Sequence, residues 1–416
     1  MLLSQPIQRV KTIYHQYPTQ FWVVIGSSFI DRVGGALMFP FFSLYITRKF
    51  DVGMTEVGVL FTLFSVTGML GSTLGGALTD HLGRKTMIIL GLVVSGLTSL
   101  GMGLVNTLPL FYLMGGISGL FADAAGPARQ AMLTDLLPAR QRADGFGIMR
   151  VVMNLAVAIG PAVGGLLAAA SYLLLFVIDT ITSLITALIV HRAVKETRPS
   201  SDEAESGSAG LAATFQGYAG ILRNAPFMLF LLFSLISTLV YTQMYSTLSV
   251  YLRDFHQVPE QGFGMLMSLN AAMVVLLQFP ITRWIKRFPA LLVMTVGTLL
   301  YAVGFGIYGL VGWYGFFLLA MVIITTGEML VAPTGQALVA RFSPEDMRGR
   351  YMAVMGFSWM IPSALGPLGA GLIMDHGDPR WIWYSSFVLG SAAAAGFLWL
   401  KQRGQAGEGG EANAGV

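Results

Sequence analysis

The chain has 416 residues, of which 55% are hydrophobic and only 11% charged. A water-soluble domain usually carries about 25% charged residues, so the composition excludes an ordinary soluble globule. The net charge of +4 is too small to argue for nucleic acid, and the absence of cysteine excludes disulfides and thiolate metal sites.

Residues 1–18, MLLSQPIQRVKTIYHQYP, mix polar and apolar side chains and lack the long apolar stretch of a cleavable signal; they read as a short interfacial segment. Twelve apolar runs of about 20 residues or more follow, each long enough to cross a bilayer as a helix. They are spans 1 to 12, at roughly 19–47, 55–79, 86–106, 109–137, 143–169, 172–193, 226–252, 261–283, 290–311, 314–341, 348–374 and 381–400. Open strands are excluded because backbone groups in lipid must be satisfied internally, and a barrel is excluded because the runs do not alternate. The expected class is an all-α membrane protein: a six-helix bundle at 19–194, a polar linker at 195–225 containing KETRPSSDEAESGSAG, a second bundle at 226–402, and a disordered tail at 403–416.

Basic residues orient the chain. Arg9 and Lys11, Arg84 and Lys85, Arg140 and Arg142, the stretch from Arg192 to Arg223, Arg283, Lys286 and Arg287, Arg341, Arg348 and Arg350, and Lys401 and Arg403 fall at the termini, in the linker and in alternate loops. The opposite loops hold only Arg48, Lys49, Arg253 and Arg380. The positive-inside rule then puts both termini and the linker in the cytoplasm, with a bacterial plasma membrane as the expected location. Arg32, Arg129 and Arg150 are left within spans as candidate buried cations.

The two bundles are copies. PARQAMLTDLLPARQRADGFGIM, from Pro127, aligns with PTGQALVARFSPEDMRGRYMAVM, from Pro333, and the same offset of 206 carries Gln130 to Gln336, Gly160–Pro161 to Gly366–Pro367, and Gly165 to Gly371. Internal duplication of six-helix halves is a hallmark of secondary transporters.

Between spans 2 and 3 stands GALTDHLGRK, Gly76 to Lys85. It resembles the G-x-L-x-D-x-x-G-R-K signature of the major facilitator superfamily, and with twelve spans and duplicated halves the resemblance covers essentially the whole chain. It implies two pseudo-symmetric six-helix halves and a cytoplasmic gate motif made of Gly76, Asp80, Gly83, Arg84 and Lys85. Gly76 is expected to let helices approach, Gly83 to turn the chain, and Asp80 to cap a neighbouring helix start and pair with Arg84. Span 5 contains AIGPAVGG; its Gly160, Pro161, Gly164 and Gly165 resemble the G-P-x-x-G-G motif of the exporting, antiporter branches. Such exporters often carry an arginine in span 4, four residues before a glycine. Here Gly115 stands in its place before Gly119, so Arg129 and Arg150 are the alternatives.

Carboxylates within spans carry the functional expectation, because each costs about 2.5–3.5 kcal/mol to insert and tends to be retained for a purpose. Glu328, in TTGEMLVAP, shares a small, polar helical face with Met321, Thr325, Ala332 and Gly335. This stretch resembles span 10 of multidrug/proton antiporters that embed an acid there. Asp31 in span 1 and Asp123 in span 4 complete the expected proton-coupling set, Asp123 lying one residue from the repeat equivalent of Glu328. Asp179 ranks last, because span 6 is peripheral in that superfamily; static pairing of Asp31 with Arg32, Arg129 or Arg150 is the alternative role. Expected cavity residues are Arg32, Tyr241, Gln243, Tyr245, Asn270 and Trp359, and the 23 methionines suit a surface that repacks around varied ligands.

The histidines, at 15, 81, 191, 256 and 376, are scattered, so no metal site is expected, and no Walker loop, G-x-S-x-G or H-E-x-x-H is present. An enzyme and an ATP-driven pump are thereby disfavoured, and no cofactor is required. The expected activity is proton-coupled efflux of hydrophobic or cationic small molecules by a monomer, with substrate, protons and the lipid bilayer as partners. The alternatives are a symporter or facilitator importing a small anion, and an exporter of an amphiphilic lipid.

Overall fold

An apolar run of some twenty residues has one way to satisfy its own N–H and C=O groups in hydrocarbon, and that is to close on itself as an α-helix. In a computed structural model that describes residues 14–198, 220–344 and 347–413, the runs do so. Among the described residues there are twelve helices long and apolar enough to cross a membrane.

Helix α1 covers Thr19–Phe50, interrupted by a 3-10 turn at Phe39–Phe41. Helices α2 Met54–Leu82, α3 Arg84–Leu104, α4 Leu108–Leu136, α5 Ala139–Ala170 and α6 Tyr172–Ala193 follow. After the linker, α7 runs Ala225–Ser246 and continues as Leu248–His256. Helices α8 Glu260–Ile285, α9 Ala290–Tyr308, α10 Tyr314–Phe342, α11 Arg348–His376 and α12 Arg380–Asn413 complete the chain. Residues 1–13, 199–219 and 414–416, which include much of the expected interfacial segment and linker, lie outside the described residues.

Prolines sit inside α4, α5, α8, α10 and α11. Neighbouring helices re-satisfy the carbonyls they free, which makes them tolerable in a membrane. Pro127 and Pro333, and likewise Pro161 and Pro367, are repeat equivalents. Large apolar side chains remain exposed, among them Leu166, Leu276 and Phe279. In water this would be an aggregating surface, whereas in lipid it is the expected outer face. Trp313 and Trp381, both exposed, stand at the starts of α10 and α12, where amphipathic rings anchor a helix at the interface.

The chain divides into two compact units, Met1–Phe39 with Leu63–Ala204, and Pro40–Thr62 with Glu205–Val416. In the first, α3 packs on α4 and α6, and α1 on α5 and α6. In the second, α9 packs on α10 and α12, and α7 on α11 and α12. Adding six to each helix number of the first set gives the second, so the sequence repeat is a repeat of packing. Each unit buries its own apolar cluster: Phe21, Ile88, Ala128 and Val190 in the first, and Phe227, Phe230, Tyr351 and Phe397 in the second.

The turn between α1 and α2 belongs to the second unit. There Asp375, at the end of α11, accepts from the backbone N–H groups of Met54 at 2.9 Å and Thr55 at 2.7 Å. These are orphan donors of the first turn of α2, at the positive end of its dipole. Thr62 Oγ1 donates to the Ala364 carbonyl at 2.7 Å, and Arg48 pairs with Glu260 at 3.0 Å. Gly58 lies so close to Pro367 and Leu368 that a Cβ would strike their backbone.

Candidate functional site

The polar face read on α10 is occupied. Thr325 Oγ1, fully buried, donates to the Met321 carbonyl one turn back at 2.7 Å. The same oxygen accepts from Asn270 Nδ2 of α8 at 3.0 Å, and Asn270 Nδ2 also donates to Glu328 Oε2 at 2.8 Å. One amide thus bridges two residues spaced i, i+3 on the facing helix, which is why they must share a face. Tyr241 of α7 lies beside Glu328, within the reach of its charge. Its ring lies 5.2 Å from that of Tyr301 on α9 and 6.1 Å from that of Trp359 on α11, and its hydroxyl is 3.2 Å from that of Tyr245. Among the described residues no Lys or Arg pairs with Glu328. A carboxyl held only by neutral donors can exist in either protonation state, and a proton on it changes the net charge of the whole cluster.

Of the expected cavity residues, Tyr241, Asn270 and Trp359 therefore gather near Glu328, while Gln243 does not. Its Oε1 accepts from Thr247 Oγ1 at 2.7 Å, and its Nε2 donates to the Leu239 carbonyl at 3.2 Å, beside Gly366 of α11. It is part of the α7–α11 packing. Tyr301 was missed because an aromatic in an apolar run looks like core; only the packing of α9 on α10 brings it to the glutamate.

The first unit assembles a different cluster. Asp31 Oδ2 pairs with Arg129 of α4 at 3.6 Å, and Asp31 Oδ1 accepts from Ser183 Oγ of α6 at 2.9 Å. Asp179, one turn from Ser183, lies in the field of Asp31 and faces Ser99 of α3. Sequence reasoning ranked Asp179 last; the close packing of α6 on α1 and α3 brings it beside Asp31. Asp123 is exposed; its carboxylate abuts Gly68 of α2 and feels the charge of Arg32. Arg32 and Arg150 are exposed, and both are engaged in further interactions.

The gate signature is tied down within its own unit. Gly83 adopts φ +91°, a backbone region that glycine enters freely, and it releases the chain from α2 into α3. The first N–H groups of α3, on Arg84 and Lys85, donate to the Glu196 carboxylate at 2.9 and 3.1 Å. Arg84 Nε pairs with Asp135 of α4 at 3.2 Å. Lys85 Nζ donates to the His191 carbonyl at 2.6 Å. The side chain of Asp80, expected to pair with Arg84 and cap a helix, lies outside the described residues, as does that of Arg348. Among the described residues no heavy atom lies within 4 Å of where a Cβ on Gly76 would stand. Close contact of α2 with α4 falls instead at Gly68, Gly71 and Gly75, where a Cβ would meet Asp123, Leu120 and Ala124.

The span 5 motif also has a packing role. A Cβ on Gly160 would collide with Ala36 of α1, and its repeat equivalent Gly366 lies against Thr242 and Gln243 of α7, at 2.9 and 3.1 Å from a notional Cβ. Pro161, Gly164 and Gly165 are buried.

Comparison with known proteins bears on the whole chain. The profile described as Major Facilitator Superfamily matches residues 24–259 and 244–414. The chain is 27% identical over 392 residues to a protein of Planococcus maritimus named Na(+), Li(+), K(+)/H(+) antiporter, covering 88% of this chain and 91% of that one. It is 26% identical over 184 residues to the quinolone resistance protein NorA of Staphylococcus aureus, covering 43% of this chain and 47% of that one. Among solved structures, a nucleoside transporter NupG variant superposes with a TM-score of 0.78 at 13% identity, over 92% of this chain and 100% of the other. A POT family transporter superposes at 0.74 and 16% identity, over 92% and 95%. At such identities the structural likeness speaks for the fold alone. With twelve spans, a repeat of six helices and a profile match along nearly its full length, the chain belongs to the Major Facilitator Superfamily: it is a multi-pass membrane transporter of small solutes and not an enzyme.

Proposed function

We propose that the protein is a proton-coupled exporter of hydrophobic or cationic small molecules, working by alternating access as a monomer in a bacterial plasma membrane, with both termini cytoplasmic. One observation carries this reading: Glu328 sits within α10 and is held by a neutral donor, the Asn270 amide, with Tyr241 beside it. Loading that carboxyl with a proton removes the only charge in the cluster, and releasing the proton restores it, so each access state can present a different charge to a bound solute. The aromatic rings of Tyr241, Tyr301 and Trp359 around it suit an apolar or cationic guest. Asp123 serves the same proton path from the first unit, where Asp31 is instead held by Arg129, and Asp80 steadies one access state in the way its signature implies.

A second reading, exchange of monovalent cations for protons, is favoured by the name of the Planococcus maritimus relative, a Na(+), Li(+), K(+)/H(+) antiporter. Transport into inverted membrane vesicles with an imposed pH gradient tests both. Glu328→Gln keeps the shape of the side chain and removes its proton. Loss of gradient-driven solute movement with a normally folded protein is the expected result; unchanged movement would overturn the assignment of Glu328.

A further inference from the structure

Pro333 lies inside α10, just beyond Glu328. A proline has no N–H, so the carbonyl four residues back, that of Met329, loses its ordinary helical donor. Met329 is fully buried, and a buried carbonyl left without a partner is costly. The donor comes from α8. Gln278 Nε2 donates to the Met329 carbonyl at 3.1 Å and also to Thr282 Oγ1 at 2.8 Å, which uses both hydrogens of the amide. Met329 is the residue next to Glu328.

Helix α8 therefore grips α10 with two amides. Asn270 reaches Thr325 and the Glu328 carboxylate, and Gln278, further along α8, reaches the backbone at the proline. The second grip falls on the turn where α10 bends most easily, because the proline removes one rung of its hydrogen-bond ladder. Duplication kept the proline but not the grips. Pro127 is the repeat equivalent of Pro333, whereas Phe64 stands in the place of Asn270, Ser72 in that of Gln278, Gly119 in that of Thr325 and Ala122 in that of Glu328. The proline is common scaffold; the two amides occur together with the acid.

We propose that Gln278 is a positioning residue for Glu328: by tying the proline-freed carbonyl of Met329 to α8, it fixes the orientation of α10 that keeps the Glu328 carboxyl within reach of Asn270. Without that tie the bare carbonyl seeks another donor, and the turn that carries Glu328 swings with it. The ionisable side chains around Glu328 are Tyr241 of α7 and Tyr301 of α9, with Tyr245 beside Tyr241. Helix α8 carries none between Glu260 and Arg283, α11 none but Tyr351 between Arg350 and Asp375, and α10 itself only Tyr314 and Arg341 at its two ends. The proton affinity of Glu328 then depends on hydrogen-bond geometry more than on a neighbouring ion, which makes it sensitive to a shift of its helix. A place for Gln278 in transport rests on the coupling reading above; the positioning itself does not.

The test titrates Glu328 itself. In proteoliposomes of the full-length protein, the infrared C=O stretch of its protonated carboxyl is assigned by its loss in Glu328→Gln and followed against pH. Gln278→Met keeps the length of the side chain and removes the donor. This variant is expected to move the midpoint by about one pH unit or more, in the same direction as Asn270→Leu, that being the scale of one hydrogen bond to a charged group. Pro333→Ala restores the backbone N–H, so in that background Gln278→Met should leave the midpoint where Pro333→Ala alone puts it. Thr282→Val removes the other acceptor of the amide and should keep the wild-type midpoint. A wild-type midpoint in Gln278→Met overturns the proposal, even where yield or melting temperature falls, because the amide is then only a brace. So does a shift that persists undiminished in Pro333→Ala, or one that Thr282→Val reproduces. Vesicle transport by Glu328→Gln judges the coupling reading separately: unchanged transport there removes that reading and leaves the titration result standing.

Discussion

Glu328 in the second unit is held by an amide, with a phenol beside it, whereas Asp31 in the first is held by a guanidinium and a serine hydroxyl. The scaffolds beneath them are alike: α10 packs on α9 as α4 packs on α3, and α7 meets α11 and α12 as α1 meets α5 and α6. Duplication therefore preserved how helices pack and let the charges diverge. An acid facing neutral donors has its charge set by a proton, while one facing an arginine is neutralised without one. The first arrangement suits coupling; the second suits structure.

The comparison breaks most visibly at Glu328. Glu328→Gln should lower pH-gradient-driven efflux by about tenfold or more with yield and unfolding midpoint near wild type, as expected for an intramembrane acid kept for function. Vesicle transport with a parallel melting curve reads both. Were Asp31→Asn to give the same profile as Glu328→Gln, the two acids would belong to one relay and the contrast between units would fail.

Arg129→Gln is the next largest effect and falls on stability. The Asp31–Arg129 pair is partly exposed, at 22% and 26%, so breaking it should cost about 1–2 kcal/mol, between surface and fully buried values. Chemical unfolding in detergent measures this. The double variant Asp31→Asn with Arg129→Gln should recover most of the loss, because neither charge is then left alone; no recovery would remove the pair from the account.

A smaller effect is expected at Asp375, which caps α2 in the second unit. Asp375→Asn keeps an acceptor and removes the charge, so the loss should be about 0.5–1 kcal/mol, the worth of a carboxylate at a helix N-terminus, and should shrink with added salt. Amide hydrogen exchange at Met54 and Thr55 reports it locally. Unchanged protection there would show that Thr62 and Gly58 alone hold the turn.

The smallest effect is a control on pH. His256, in the continuation of α7 beyond its apolar span, has its pKa lowered by burial, with the charge of Arg380 adding to this. Its ring packs edge-on against Tyr251 and Phe317, with centroids at 5.1 and 4.9 Å, and its Nε2 is buried without a partner. The folded state resists protonation, so the unfolded chain binds the proton first and stability falls as the pH drops below the ordinary value of 6.5. The loss stops growing once the pH is below the depressed folded value. His256→Gln should flatten that slope in melting curves, leaving any remaining acid dependence to the carboxylates.

The sequence by itself determined the solvent, the twelve helices and the duplication, because lipid leaves an apolar run no alternative to internal hydrogen bonding and because the offset of 206 survives in Gly, Pro and Gln positions. It also marked Glu328, since an acid in such a run stands out and helical periodicity fixes its face. Partners were beyond it. Asn270 and Tyr301 reach the glutamate from helices far along the chain, and Asp135 and Glu196 hold the signature loop from α4 and from the start of the linker. Periodicity says which residues share a face of one helix; which face meets which is decided by the packing of small residues such as Gly34, Gly96 and Gly160, and that is a property of the assembled bundle.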